Sequence, residues 1–341
     1  MPEISIVILT WNSLGYLEKF FPVLLEHTPG ALARIIVADN GSTDGTSAWI
    51  SGRHPGTTLI TFDKNLGYAG GYKKALESVD TPYALLLNSD VEVTENWLGD
   101  LLGFMEAHPD AGAIAPKILS YHQRDHFEYA GAAGGWIDRY GFPFCRGRIF
   151  SSIEKDTHQY DQPEEAFWTS GACLMVRMEA YRQAGGFDPL FFAHMEEIDL
   201  CWRMHAVGYE VWYFPGSWVY HVGGGTLPNE HPYKLFLNFR NNLVMLWKNL
   251  PVKSKKRILF TRSCFDGIAA LQYLVRGKLK NFRAVWRAHN DYRRMVRDKY
   301  GNYQGPMAKN LQGIPGFYNK SIVFGFFLRG VRLFRDLQDH R

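Results

Sequence analysis

The chain has 341 residues, 46% of them hydrophobic and 21% charged, which is typical of a soluble globular protein with an ample core. Aromatic residues make up 15%, an excess that fits either a carbohydrate- or lipid-lining surface or a phenylalanine-rich core. The four cysteines show no CxxC spacing, which argues against a zinc site and against a disulfide framework.

Neither a signal peptide nor a membrane span is predicted. The first apolar run, residues 4–9, has no basic leader before it, and no run of 18 apolar residues occurs. The longest candidate, Ile322–Leu328, is too short to cross a bilayer. We therefore expect a cytoplasmic protein with reduced, buried thiols.

The first 120 residues alternate short apolar runs with helical patterns. The runs are residues 4–10, 34–39, 59–62 and 83–87, and an amphipathic helix is predicted over 14–26. This alternation indicates an α/β fold with a mostly parallel sheet flanked by helices. Ligands of such sheets bind beyond the carboxyl ends of the strands, where the polar clusters 10–12, 39–44 and 88–90 are found.

The rest of the chain is predicted in two parts. Residues 121–165 are irregular and glycine-rich, which indicates a long loop or lid over the site. Strand and helix patterns resume from residue 167, and beyond Pro232 the chain is predicted to be helical, basic and aromatic. We therefore expect a catalytic domain over 1–230, with halves of about 1–120 and 121–230, and a helical C-terminal region over 231–341.

Asn88, Ser89 and Asp90 follow the fourth apolar run. In an extended backbone residues 88 and 90 share a face, so both side chains could approach one Mg²⁺ or Mn²⁺ ion and its bound phosphates. Asp39, at the end of the second run, could accept the imide N–H of a pyrimidine or could only shape its loop as an Asx turn. Asp44 is predicted to cap the next helix.

Three acids, Glu196, Glu197 and Asp199, lie at the start of a predicted helix. They could compensate the helix dipole, with Asp199 pairing to Arg203, or one glutamate could be a general base. Adjacent carboxylates repel each other, which raises one pKa toward neutrality. His221, which precedes Gly223, Gly224 and Gly225, is a candidate metal ligand.

Taken together, these segments resemble family 2 glycosyltransferases of the GT-A fold, especially a bacterial rhamnosyltransferase-like branch. The matching segments occur in the family's order and cover about residues 3–225: 7–12, 37–46, 65–71, 86–91, 170–172, 185–188 and 196–203. Asn88 and Glu197 stand where the family more often has aspartate.

The resemblance implies a role for each matching residue. Asp90 and His221 would hold the metal, and Glu197, rather than Glu196, would be the base. Thr10, Asn12, Asp39, Gly70, Gly71, Asn88 and Ser89 would bind the nucleotide and donor sugar, and Trp168, Ser170, Gly171 and Asp199 would lie on the acceptor side.

The resemblance also implies the reaction, an inverting transfer from a dTDP- or UDP-linked sugar to a glycan or lipid-linked glycan in cell-surface polysaccharide assembly. An inactive nucleotide-sugar-binding scaffold protein is the alternative from another class, and Asp90, His221 and both glutamates argue against it. A nucleotidyltransferase would be expected to carry a glycine-rich phosphate loop after the first strand, and Thr10-Trp11-Asn12-Ser13 is not such a loop.

Residues 231–300 are strongly basic, with 17 Lys/Arg and 3 Asp/Glu of the 38 and 34 in the chain. Basic residues interleaved with Phe, Leu and Trp suit the anionic cytoplasmic face of the inner membrane. A helical cap on the catalytic domain, with a solvated basic face, explains the same pattern. No motif supports nucleic-acid binding.

Overall fold

The computed structural model describes residues 2–129, 131–223, 231–307 and 310–340. Its first part confirms the predicted alternation of strands and helices. The elements are β1 (Ile4–Thr10), α1 (Leu14–His27), β2 (Ala33–Asp39), α2 (Thr46–Arg53), β3 (Thr58–Thr61), α3 (Gly67–Leu76) and β4 (Tyr83–Asn88). These strands lie parallel in the order β3-β2-β1-β4.

The central strands are apolar throughout because both faces of the sheet are covered. Val7 and Leu86 point into one hydrophobic core, whereas Ile6 and Leu87 point into the core on the other face. Successive side chains of a strand alternate between faces, so a strand buried on both sides reads as a continuous apolar run.

The middle of the chain adds strands that make the sheet mixed. Its elements are β5 (Val91–Val93), α4 (Gly99–Ala107), β6 (Ala111–Ser120), β7 (Gly135–Asp138), β8 (Pro143–Cys145), β9 (Arg148–Ile149), β10 (Ser152–Ile153), β11 (Glu164–Glu165), β12 (Cys173–Arg177), α5 (Met178–Gln183), a 3-10 helix (Pro189–Phe191), α6 (Glu196–Ala206) and β13 (Glu210–His221). Strand β12 inserts antiparallel between β4 and β6, β13 lies parallel to β6, β11 pairs with β13, and β5 pairs with the end of β13.

The interpretation of residues 121–165 as a loop or lid is wrong. Strands β7–β10 form a second sheet in the order β10-β9-β8-β7, and a strand from the C-terminal region, β14 (Phe317–Tyr318), completes it. These strands have only two to four residues each, so they are too short to show an alternating pattern in the sequence.

The C-terminal region is helical, as predicted. It consists of α7 (Pro232–Asn249), α8 (Val252–Val275), α9 (Leu279–Asp298), β14, α10 (Ile322–Leu328) and a 3-10 helix (Phe334–His340). Helix α7 packs on α6 and α9, and α8 packs on α9. The region is thus joined to the first 230 residues through α7, through β14 and through side-chain contacts such as the hydrogen bond that Tyr300 donates to Asp188.

Two expectations about the chain need correction. Helix α8 is long and apolar enough, by length and composition alone, to cross a membrane, although no run of 18 apolar residues was found in the sequence. All four cysteines are free, and three are buried as predicted, but Cys264 of α8 is exposed.

Candidate active site

The carboxyl ends of β1, β2 and β4 bring the predicted polar clusters to one edge of the sheet. Thr10 is paired with Asp39 in the β1–β2 register, and Leu9 is paired with Asn88 in the β1–β4 register. Parallel strands end at the same edge, so clusters that are distant in sequence become neighbours. Ser89 extends the group, since its hydroxyl lies 3.2 Å from that of Ser13, just beyond β1.

Asp39 and Asn12 shape the loops at this edge. The Asp39 carboxylate accepts hydrogen bonds from the Ser42 backbone N–H at 2.8 Å and from the Ser47 hydroxyl. Asn12 has a φ of 49°, and its Oδ1 accepts a hydrogen bond from the Thr43 N–H at 2.8 Å. The Asx-turn alternative for Asp39 is therefore present in the structure, and its contact with a base stays a prediction.

Asp44 has the structural role predicted for it. Its Oδ1 accepts from the Thr46 N–H at 3.1 Å and its Oδ2 accepts from the Leu14 N–H at 2.9 Å, so one carboxylate caps the starts of α1 and α2. Burial opposes ionisation, but these donors outweigh it and lower the pKa of Asp44.

Gly70 and Gly71 are buried in α3, and both are needed for packing. A Cβ atom at Gly71 would lie 2.7 Å from the Leu9 side chain of β1, and one at Gly70 would lie 3.2 Å from the Leu66 Cβ. The absence of a side chain at Gly71 thus lets α3 approach the sheet closely. That either glycine faces a donor stays a prediction.

Asp90 and His221 lie side by side because β5, which follows Asp90, pairs with the end of β13. The His221 Nε2 is 3.2 Å from Asp90 Oδ1 and 3.5 Å from Asn88 Nδ2. On its other side, His221 Nδ1 is 3.6 Å from Oε1 of Glu128, a buried acid that the sequence did not single out. Gly224 and Gly225 of the predicted triple glycine lie outside the described residues.

The charged groups of this cluster stabilise one another's ionised forms. Burial on its own would lower the pKa of His221, but the carboxylates of Asp90 and Glu128 outweigh it and raise that pKa to about 10. Burial would raise the pKa of Asp90, and the hydrogen bond and positive charge of His221 lower it instead. An imidazole held between two carboxylates resembles the acid–histidine arrangement that orients a metal ligand.

A divalent cation held by Asp90 and His221 would displace the proton that the raised pKa keeps on the His221 imidazole. Octahedral ions such as Mg²⁺ hold their ligands at about 2.1 Å, so neighbouring ligands lie about 3 Å apart. The 3.2 Å between Oδ1 and Nε2 matches this spacing. Within residues 2–129, 131–223, 231–307 and 310–340, no group of three or more His, Cys, Asp or Glu side chains could hold a metal. A metal held by Asp90 and His221 would take its further ligands from amide, hydroxyl or carbonyl oxygens of the chain, from a substrate or from water.

Glu196 and Glu197 begin α6, and each keeps one carboxyl oxygen unused. The Oε2 atoms of both are buried and have no hydrogen-bond partner in the described part of the chain. Burial raises the pKa of Glu197 to about 7, and burial together with the charge of Glu197 raises the pKa of Glu196 well above its usual range. Burial and the repulsion between the two charges therefore let the pair keep a proton at a higher pH than two exposed glutamates would.

The backbone before these glutamates is unusual. Phe192, His194 and Met195 have φ values of 66°, 72° and 72°, a region that residues other than glycine rarely occupy. The buried Asn241 of α7 holds this loop, because its Nδ2 lies 2.8 Å from each of three carbonyl oxygens, those of Phe191, Ala193 and His194. The C-terminal region therefore supports the loop that positions Glu196 and Glu197.

Asp199 is buried away from any surface on which an acceptor could lie. Its Oδ2 pairs with Arg203 at 2.8 Å and with Lys248 of α7 at 2.9 Å, and its Oδ1 accepts from Asn249 at 2.8 Å. The predicted Asp199–Arg203 pair is thus present. Burial opposes ionisation, but the charges of Arg203 and Lys248 lower the pKa of Asp199. In the structure, Asp199 joins α6 to α7 through its contacts with Lys248 and Asn249.

Gly171, another predicted acceptor-side residue, lies where β12 meets β4. The Asn88 N–H donates to the Ala172 carbonyl at 2.9 Å, which places Gly171 beside the Asn88–Asp90 turn. The Gly171 carbonyl accepts from the Tyr68 hydroxyl at 2.6 Å, and the charges of both Glu196 and Glu197 act on Tyr68. Tyr68 therefore links the edge of the sheet to the start of α6.

Trp168 and Ser170 are buried, with 4% exposure each. The Trp168 indole N–H donates to the Trp136 carbonyl at 2.9 Å, and Ser170 Oγ accepts from the Ala172 N–H at 3.2 Å. Both side chains thus serve packing in the structure, and their contact with an acceptor stays a prediction.

Sequence reasoning missed four residues of this site: Glu128, Tyr68, Asn241 and Lys248. The run Arg240-Asn241-Asn242 was a usable signal, since three consecutive polar residues stand among the apolar residues of α7. Buried polar groups in a helix need partners, which suggests a specific contact. Glu128 had no comparable signal, because it follows an irregular segment.

Comparisons with known proteins identify the family of the chain. The model of "Glycosyl transferase family 2" matches residues 5–185. An N-acetylglucosaminyl-diphospho-decaprenol L-rhamnosyltransferase of Mycobacterium tuberculosis is 28% identical over 236 residues, which cover 64% of this chain and 75% of that protein. The rhamnosyltransferase WbbL of Escherichia coli is 25% identical, over 62% of this chain and 76% of the relative.

Two solved structures share the fold at low identity. GalNAc-T7, crystallised with UDP, GalNAc and Mn²⁺, has a TM-score of 0.56 at 14% identity and covers 73% of this chain and 48% of its own. The mannosyltransferase PcManGT of Pyrobaculum calidifontis, in complex with GDP-Man and Mn²⁺, has a TM-score of 0.52 at 13% identity and covers 84% and 74%. These likenesses confirm the predicted GT-A fold.

Proposed function

Because the chain belongs to glycosyl transferase family 2 and is rhamnosyltransferase-like, we propose that it is an inverting, metal-dependent hexosyltransferase. It takes a hexosyl group, for which rhamnosyl is the first candidate, from a dTDP- or UDP-linked donor. Its acceptor is a glycan or lipid-linked glycan in cell-surface polysaccharide assembly. The name of the Mycobacterium tuberculosis relative, which acts on a diphospho-decaprenol-linked sugar, supports the lipid-linked choice.

One observation carries the proposal: two glutamates with unpartnered buried oxygens are linked through Tyr68 and Gly171 to the turn that bears Asp90. Buried polar atoms are normally paired, so a substrate that uses the unpaired carboxyl oxygens would explain them. Displacement of a diphosphate by a hydroxyl needs such a base close to the group that holds the diphosphate.

The reaction follows from these placements. Glu197, with a pKa of about 7, accepts the proton of the acceptor hydroxyl, and burial also raises the pKa of Glu196. The acceptor oxygen attacks C1 of the sugar from the face opposite the diphosphate, and the diphosphate leaves with the electron pair of the broken C1–O bond. A Mg²⁺ or Mn²⁺ ion held by Asp90 and His221 would neutralise the departing charge. Thr10, Asn12, Asp39, Asn88 and Ser89 would hold the nucleotide.

A thermal-shift panel of dTDP-, UDP- and GDP-sugars, with and without Mn²⁺, tests the donor class. A true donor at about 100 times its Kd stabilises the protein by about 2.7 kcal/mol, and the shift should need Mn²⁺. Stabilisation by no nucleotide sugar would contradict the proposal. Donor binding without any sugar transfer or donor hydrolysis would favour the scaffold-protein alternative.

A lipid-linked acceptor is held in a membrane by its lipid. We therefore place the reaction at the cytoplasmic face of the inner membrane, which is where such an acceptor would meet a cytoplasmic nucleotide-sugar donor.

A further inference from the structure

The most exposed apolar side chains of the described protein lie on the C-terminal helices. Among the described residues before 252, no large apolar side chain is more than 44% exposed. By contrast, Phe260 is 72% exposed, Leu328 is 75% exposed and Val275 is 80% exposed. Single exposed apolar residues are common on protein surfaces, but several strongly exposed ones on neighbouring helices mark an interaction surface.

On α8 these residues form a continuous stripe. The exposed residues recur every three or four positions along one side of the helix, and we call them the α8 stripe: Phe260, Cys264, Ile268, Leu271 and Val275. The opposite side carries Arg262 and Asp266, which are buried and bonded to each other at 2.8 Å. The helix therefore turns polar groups inward and apolar groups outward, the reverse of an ordinary surface helix.

Helix α8 is built to lie along a surface rather than to cross a membrane. An 18-residue window of the helix has a mean hydropathy of 1.2. Its buried side is nevertheless tied to α9, because His289 Nε2 lies 3.1 Å from Asp266 Oδ2. An ion pair of this kind fixes one side of the helix to the protein. Only 22% of the same window is buried, so the other side is left for a partner.

Helix α10 continues the apolar surface. Phe324 packs against Phe265 of α8 with ring centroids 5.4 Å apart, which places the two helices side by side. Phe324 is 48% exposed, and Phe327 and Leu328 are exposed further at 63% and 75%. Lys320 and Arg329 flank α10 in the sequence. We call the α8 stripe together with Phe324, Phe327 and Leu328 the apolar surface.

The charge around the apolar surface has one sign. Residues 252–290 contain ten Lys/Arg and one acid, Asp266, which is 1% exposed. The charge that this segment presents to solvent is therefore entirely positive. Apolar side chains between cations match the interfacial zone of a bilayer with anionic headgroups, where each basic residue contributes about 1 kcal/mol of attraction.

We propose that the apolar surface docks on an anionic lipid bilayer, with α8 and α10 lying in the plane of the headgroups. This inference rests on the proposed function, because docking would hold the catalytic cleft beside a membrane-embedded acceptor. Its physical basis, exposed apolar side chains between cations, is independent of catalysis.

Co-sedimentation of the full chain with vesicles tests the docking directly. The wild type should bind phosphatidylcholine–phosphatidylglycerol vesicles at low salt, bind phosphatidylcholine vesicles far more weakly, and dissociate as salt is added. The variant Phe260→Ser/Ile268→Ser/Phe327→Ser should lower the partition coefficient by about tenfold or more, since each side chain buries apolar area in the interface. Wild type that does not bind anionic vesicles at low salt would overturn the proposal.

The matched control is Leu25→Ser/Ile153→Ser, which changes exposed apolar residues outside the apolar surface. It should bind vesicles like the wild type, and equal loss of binding in control and test variants would contradict the assignment. Both variants should keep the donor-induced thermal shift and the transfer rate to a water-soluble acceptor. Vesicle binding without any transfer would leave docking intact and count against the proposed function instead. A dimer formed through the apolar surface, with no vesicle binding, would overturn docking.

Discussion

The strand-and-helix part of the molecule and its C-terminal helices place polar and apolar residues in opposite ways. In the first, the strands are apolar and the polar residues Thr10, Asp39 and Asn88 gather where the strands end. In the second, polar residues such as Asn241 point inward, and apolar residues such as Phe260 point outward. The first arrangement makes a site for a substrate, whereas the second supports that site from behind and leaves an apolar exterior.

The contrast connects the C-terminal helices with the proposed active site. Asn241 holds the loop before Glu196, and Lys248 holds Asp199 in the same helix as both glutamates. A helix that only capped the domain would need apolar contacts alone. The inward polar contacts are directional, so they fix the position of α6 as well as its burial.

Glu197→Gln tests whether the first of these two regions carries the catalytic base, on α6 beside the sheet. The amide cannot accept the acceptor proton, so kcat should fall by about 10²- to 10⁴-fold while donor binding stays intact. Transfer assays with a saturating donor measure the effect. The exposed Glu95→Gln is the matched control and should behave like the wild type; an active Glu197→Gln enzyme would remove Glu197 from the role of base.

Asp90→Ala should have the next largest effect. Loss of one of the two proposed metal ligands should lower turnover by about 10²- to 10³-fold and should weaken the Mn²⁺-dependent part of the donor thermal shift. Rates across a Mn²⁺ titration, together with thermal shifts, check both. Asp63→Ala, at an exposed position, is the control. Full turnover in Asp90→Ala at low Mn²⁺ would show that Asp90 does not hold the ion.

Asn241→Leu tests whether the C-terminal helices position the catalytic loop. The substitution keeps the side-chain shape but leaves buried carbonyls without donors, which costs about 1–3 kcal/mol of unfolding free energy. We expect kcat to fall about tenfold with little change in donor KM, because the loop carries the base and not the nucleotide pocket. Asn290→Leu on the exposed side of α9 is the control. A stability loss with unchanged kcat would reduce α7 to a structural support.

The raised pKa values of the two glutamates predict a smaller, pH-dependent effect on stability. Between the usual glutamate pKa and about 7, the folded protein binds more protons than the unfolded chain, so the unfolding free energy falls as pH rises through that range. The slope from one group cannot exceed about 1.4 kcal/mol per pH unit.

Glu197→Gln removes this penalty, so the melting temperature of the variant relative to that of the wild type should increase from about pH 5 to about pH 8. Thermal melts of both proteins across that range measure the difference. In the Glu95→Gln control the difference should not change with pH, and a constant difference in Glu197→Gln would show that its pKa is not raised.

The strand-and-helix part could be predicted because the signals for it in the sequence are local. Apolar runs that end in polar turns place Thr10, Asp39 and Asn88 at one edge by the rule for parallel strands, and the structure has them there. Neither the small sheet β7–β10 nor the direction in which Asp199 and Asn241 point could be predicted. Strands of two to four residues have no readable period, and the orientation of a buried polar side chain depends on partners some 50 residues away.

The left-handed residues before Glu196 have a consequence for protein engineering. His194 and Met195 keep their positive φ values only while other groups hold the loop in place, and Asn241 is one of these groups. A chain shortened at residue 230 would keep the sheet edge and both glutamates but lose this restraint. The smallest part that can be exchanged between related enzymes as one module therefore extends through α7, past the end of the strands.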